Sequence, residues 1–125
     1  MELISPESLA APGGHYSHGA RSGNLLFVSG QLPFVFDTGE FPEGIEAQVV
    51  QAMNNVNEAL RSAGASLKDL VNVTIYVVDV ADWPLVNSTY ASLMGMHKPA
   101  RAIIPCGPLH HGALIEIAAV AEIKN

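Results

Sequence analysis

A chain of 125 residues, 49% of them hydrophobic and 14% charged, has room for one domain with a real core. It excludes both a disordered chain and a pair of domains. A formal net charge of −6, from 12 acidic and 6 basic residues, excludes the broad basic surface that nucleic acid demands.

Residues 1–14 carry Pro6, Pro12, Gly13 and Gly14 and are expected to form an irregular arm. The arm has neither a positive start nor a long apolar stretch, so it does not look like a signal peptide. No run of ~18 apolar residues predicts a membrane span. The single cysteine, Cys106, rules out an internal disulfide and fits a reducing compartment, with the cytoplasm as the expected location.

His15 to Arg21 reads as a short strand, Ser22-Gly23-Asn24 as a turn, and Leu25 to Leu32 as the second strand of a hairpin. Gly30, inside that strand, marks either a bulge or a close approach to the backbone. From Glu43 the period changes. Ile45, Val49, Ala52, Met53, Val56, Ala59, Leu60 and Ala63 recur at three and four residues, and Gly64 supplies a stop. Ser66 to Leu70 is a short capped turn.

Val71, Val73, Ile75 and Val77 alternate with polar residues and predict a strand with all four on one face. Asp82 is placed as the cap of a second helix, with Trp83 and Pro84 in its first turn. Val86, Tyr90, Leu93 and Met94 form its buried stripe, and Gly95 ends it. Arg101 to Cys106 and Ala113 to Ile123 are the last two strands. The order β-β-α-β-α-β-β suggests an α+β domain over residues 1–125, a mixed sheet with both helices on one face. The other face is then left apolar, and association of subunits is the expected cover.

Two charges stand in segments that otherwise read as core. Glu116 shares its strand face with Leu114, Ala118 and Val120. A partly desolvated carboxylate there suits proton transfer, or else is a structural group satisfied by backbone donors or a cation. Arg101 opens an apolar strand. Its fork fits a substrate carboxylate, and a salt bridge is the alternative, to Glu116 itself if the last two strands form a hairpin. His110-His111, His15 and His18 lack metal-ligand spacing, so no metal is expected. Cys106 has no readable His–acid arrangement around it. No glycine-rich phosphate cradle is present.

The segments GGHYSHG, VSGQLP, TGE, VNSTY, PARAIIP and LIEIAAVA resemble the YjgF/RidA family of enamine/imine deaminases along essentially the whole chain. The resemblance implies a chorismate-mutase-like fold assembled as a homotrimer, with ligand sites between subunits. It also implies that the Arg-bearing and Glu-bearing strands are not sheet neighbours. The family's carboxylate-binding arginine falls on Arg101, its water-handling glutamate on Glu116 and its site tyrosine on Tyr16. Its cleft glycine falls on Gly30 and a nearby asparagine on Asn87. Where many members carry a cysteine, this chain has Ile103, whose backbone N–H remains available. The implied activity is hydrolysis of small enamines and 2-imino acids to 2-keto acids and ammonia, without a cofactor. A pathway-specific deaminase, such as one acting on 2-aminomuconate, and a non-catalytic binder of small carboxylates are the other readings. The ribonuclease activity also attached to the family fits poorly with an acidic chain.

Overall fold

Six strands and two helices alternate along the chain, as the switches between period two and period 3.6 require. The computed structural model describes residues 1–124, so the last residue of the expected 1–125 domain lies outside it. The strands are β1 (Glu2–Ile4), β2 (Gly19–Ser22), β3 (Leu25–Gln31), β4 (Leu70–Val77), β5 (Ala100–Pro105) and β6 (Ile115–Glu122). The helices are α1 (Ile45–Ser62), between β3 and β4, and α2 (Trp83–Met94), between β4 and β5. The sheet order is β1-β2-β3-β6-β4-β5. All pairs are antiparallel except β4–β5.

Helix α1 buries Ile45, Val49, Ala52, Met53, Val56, Ala59 and Leu60, the stripe its spacing predicts. Its end is a Schellman motif. Gly64 sits at φ 78°. The N–H of Gly64 donates to Arg61 O at 3.0 Å, and that of Ala65 to Leu60 O at 2.9 Å. Strand β6 lies at the sheet centre. Ile115, Ile117, Ala119 and Ala121 are buried beneath the helices, while Glu116, Ala118 and Val120 on the other face remain partly exposed.

That second face is apolar along its paired rows. Leu3 pairs with Ala20, Ala20 with Phe27, and Phe27 with Val120. Leu3 and Phe27 stay 64% and 46% exposed, so a protomer alone leaves large side chains in water on an uncovered sheet.

Five expectations need correction. The arm is not wholly irregular: Glu2–Ile4 pairs with β2 and adds a sixth strand before Pro6 ends it. The strand expected from His15 starts only at Gly19; the stretch before it is irregular, and its Tyr16 and His18 line a cleft. Val71 does not point inward. A register shift between Leu70 and Asn72 gives the buried position to Leu70 and leaves Val71 47% exposed. Asp82 stands at the α2 N-cap without a side-chain cap bond. Asp79 instead accepts from Ala81 N, at the preceding 3-10 turn Val80–Asp82. The hairpin of the last two strands does not form, because β4 lies between them. β5 runs parallel to β4, which the α2 crossover makes possible.

Candidate active site

Gly30 is both things its sequence context allowed. The β3–β6 register shifts between Val28 and Gln31, which is the bulge. The Glu116 carboxyl also packs on the Gly30 backbone: a Cβ there would lie 2.9 Å from Glu116 Cδ and 3.1 Å from Oε2. Among the described residues nothing donates a hydrogen bond to this carboxylate or pairs with it. It lines an open cleft of about 620 Å³ together with Tyr16, Gly30, Phe34, His110 and His111. Gly30→Ala is expected to push the flexible end of Glu116 aside rather than break the sheet. Thermal stability should change little, while turnover falls ~10²-fold, the scale of a misplaced reacting group. A melting curve and a rate on one preparation check this.

The walls of this cleft are tied to the sheet by buried amides and one buried imidazole. His18 Nε2 lies 2.7 Å from Ala10 O. A carbonyl only accepts, so Nε2 carries the proton and Nδ1 accepts from Gln31 Nε2 at 3.1 Å. The arm is thereby held against β3. Asn55 on α1 donates to Leu32 O at 2.9 Å and to Phe34 O at 3.0 Å, fixing the segment after β3. Phe34 stacks with Phe41 and meets the His111 ring edge-on at 5.7 Å. His111 holds φ 60°, the one left-handed non-glycine residue among those described.

Arg101 occupies a different place. Its Nη1 donates to Asn87 Oδ1 at 2.9 Å, and its guanidinium lies 5.0 Å from the Tyr90 ring centre and 5.9 Å from that of Trp83. Trp83, Asn87 and Tyr90 stand at i, i+4 and i+7 on α2, one stripe of the helix. All three partners are neutral, so the cation is oriented without being neutralised. The Tyr90 hydroxyl is buried and has no partner among the described residues. Burial pushes its pKa above the usual 10.0, and the nearby Arg101 charge works in the opposite direction.

Strand register decides how the two charges relate. Glu116 pairs with Tyr76, Arg101 pairs with Val73, and an odd step separates Tyr76 from Val73 on β4. Glu116 and Arg101 therefore lie on opposite faces of the sheet within one protomer. The structure brings Tyr16, Gly30 and Glu116 together, and Asn87 with Arg101. Ile103 lies two residues beyond Arg101 on the same face of β5, packed partly against the core. It lines neither cleft.

Trp83 and Tyr90 were missed as Arg101 partners. Their spacing with Asn87 was visible, but nothing local says which strand α2 faces. The His18–Gln31 link left no signal. Cys106 is a free, partly buried thiol whose N–H donates to Val77 O. Among the described residues no three His, Cys, Asp or Glu side chains cluster as a metal site, and no helix is long and apolar enough to cross a membrane.

Comparison with known proteins agrees with this architecture. A RutC family protein of Pyrococcus horikoshii is 40% identical over 121 residues, 96% of either chain. The 2-iminobutanoate/2-iminopropanoate deaminase of Escherichia coli K12 is 36% identical over 123 residues, again covering 96% of each chain. The crystal structure of the YjgF gene product of Escherichia coli superposes with a TM-score of 0.94 at 34% identity, over 99% of this chain and 100% of that one. The family described as Endoribonuclease L-PSP matches residues 7–123, and the chain belongs to that family, the YjgF/RidA group.

Proposed function

We propose that the protein hydrolyses small enamine and 2-imino acid intermediates to 2-keto acids and ammonia, at sites shared between protomers of a cytoplasmic homotrimer. The observation that carries this reading is that, among the described residues, Glu116 and Arg101 are each left without a charged partner. A stranded charge is costly unless it is used. Because they sit on opposite sheet faces, one chain alone does not pair them. Arg101 lies on an edge strand, where a second protomer seated by its apolar sheet face can bring up its own Glu116. The uncovered row of Leu3, Ala20, Phe27 and Val120 supplies a reason for that seating. The 36% identity to a protein named for the imine reaction supports the chemistry.

In this account Arg101 holds the substrate carboxylate in two parallel hydrogen bonds and turns the C=N carbon toward Glu116. An enamine first tautomerises to the imine. Glu116 takes a proton from water as the water oxygen bonds to that carbon, and passes it to the imine nitrogen, giving a carbinolamine. Glu116 then relays the hydroxyl proton to the amine nitrogen as the C–N bond breaks, so ammonia leaves and the carbonyl forms. Tyr16 and the Gly30 backbone line the cleft on the Glu116 side, Asn87 holds Arg101, and the Ile103 N–H, which lines neither cleft of a single protomer, reaches the substrate only where two protomers meet. Acid–base help of this kind contributes ~10²–10⁴-fold, enough for an imine that already hydrolyses in water. The family's name, Endoribonuclease L-PSP, points to RNA cleavage, but a chain of net charge −6 is poorly suited to phosphate backbones.

The test generates 2-iminobutanoate or 2-iminopropanoate with an amino-acid oxidase and follows loss of the imine with and without the protein. Acceleration is expected. No acceleration, with 2-oxobutanoate still bound, would leave only a carboxylate-binding protein. Activity confined to 2-aminomuconate would make it a pathway-specific deaminase.

A further inference from the structure

Of the six basic residues in the chain, Lys98 and Arg101 line one pocket of about 490 Å³, with His97, Asn87 and Tyr90 beside them. Within one protomer no carboxylate lines it. Among the described residues the Lys98 ammonium has no acidic partner. His97 is turned away in part, since its Nε2 lies 2.8 Å from Leu70 O and so carries a proton toward the backbone. The Tyr90 hydroxyl, in a residue only 5% exposed, is the one buried side-chain polar atom among the described residues with no partner. In a protein with twice as many acids as bases, a pocket with two unneutralised cations, an orphaned hydroxyl and no acid is built for negative charge.

One carboxylate satisfies Arg101 and leaves Lys98 and the Tyr90 hydroxyl unused. We propose that the pocket selects a dianion: a substrate carrying a second carboxylate, held at Lys98 and Tyr90 while Arg101 holds the first. The imino acids that correspond to aspartate or glutamate have that form. This inference rests on Arg101 binding the first carboxylate, and it adds Lys98 as a specificity-determining residue. Lys98 is exposed, so its contribution is selective rather than large. A partly screened ammonium–carboxylate contact is worth about a tenfold difference in affinity.

Binding of the stable 2-oxo acids tests this without catalysis. Calorimetry at one low ionic strength should show 2-oxoglutarate binding about tenfold tighter than 2-oxobutanoate. In Lys98→Met the gap should shrink to about twofold, while Lys68→Met, an exposed lysine elsewhere, should keep it. Equal binding of the two acids overturns the proposal, as does a gap that survives Lys98→Met. Inorganic phosphate binding as tightly as 2-oxoglutarate overturns the assignment to a dicarboxylate. Imine turnover measured on the same preparation separates the two readings. A binding preference without turnover upholds the dianion pocket and removes the deaminase. Turnover without preference removes the dianion pocket alone.

Discussion

Arg101→Ala is expected to lose about 10³-fold in kcat/KM on a small 2-imino acid. Two charge-assisted hydrogen bonds at about 2 kcal/mol each make about 4 kcal/mol, and 1.4 kcal/mol is one decade. The loss should appear strongly in KM, because in the proposed mechanism the guanidinium holds the substrate before and during reaction. The fold should survive. Among the described residues Arg101 has one side-chain hydrogen bond, to Asn87, and packs on Trp83 and Tyr90 at the sheet edge, so truncation costs about 1 kcal/mol of stability. Steady-state rates with a light-scattering mass check both halves. Wild-type turnover by this variant would remove Arg101 from the mechanism.

Glu116→Gln should divide differently. The amide keeps the shape over Gly30 but no longer takes a proton from water, so kcat falls ~10²–10⁴-fold with KM nearly unchanged. Since the carboxylate has no partner among the described residues, nothing native is broken. The melting temperature should stay within what about 0.5 kcal/mol would move. A large drop in stability with kcat intact would instead make Glu116 a structural group.

Elements whose pattern is local were legible in the residues. The α1 stripe from Ile45 to Leu60 and its glycine stop follow from period and capping alone. So does the inward row of β6, because alternation survives wherever no bulge interrupts it. At Leu70–Asn72 a bulge does interrupt it, and the face of Val71 was misread for that reason. Strand partners are not local. Nothing in PARAIIP itself says that it runs parallel to β4; the resemblance implied that it does not pair with β6, and the sheet order with β4 between them bears that out.

The site divides along the same line. Glu116 and Arg101 stood out as charges in apolar runs, and Gly30 as a missing side chain in a strand. The resemblance, not the spacing, supplied Tyr16, Asn87 and Ile103. The aromatic cradle of Arg101 stayed hidden because Trp83 and Tyr90 read equally well as ordinary helix residues. The opposite-face placement of the two charges was also out of reach, since it depends on β4 lying between their strands. In the proposed mechanism that placement makes the assembly part of the chemistry.

Subunit mixing tests this most directly. Arg101→Ala and Glu116→Gln proteins, each nearly inactive, are dissociated together and reassembled. If each site takes Arg101 from one protomer and Glu116 from its neighbour, random mixing restores about a quarter of wild-type activity, the chance that an intact arginine meets an intact glutamate. Mixed oligomers shown by mass spectrometry to contain both chains, yet still inactive, would contradict a site built across the protomer boundary.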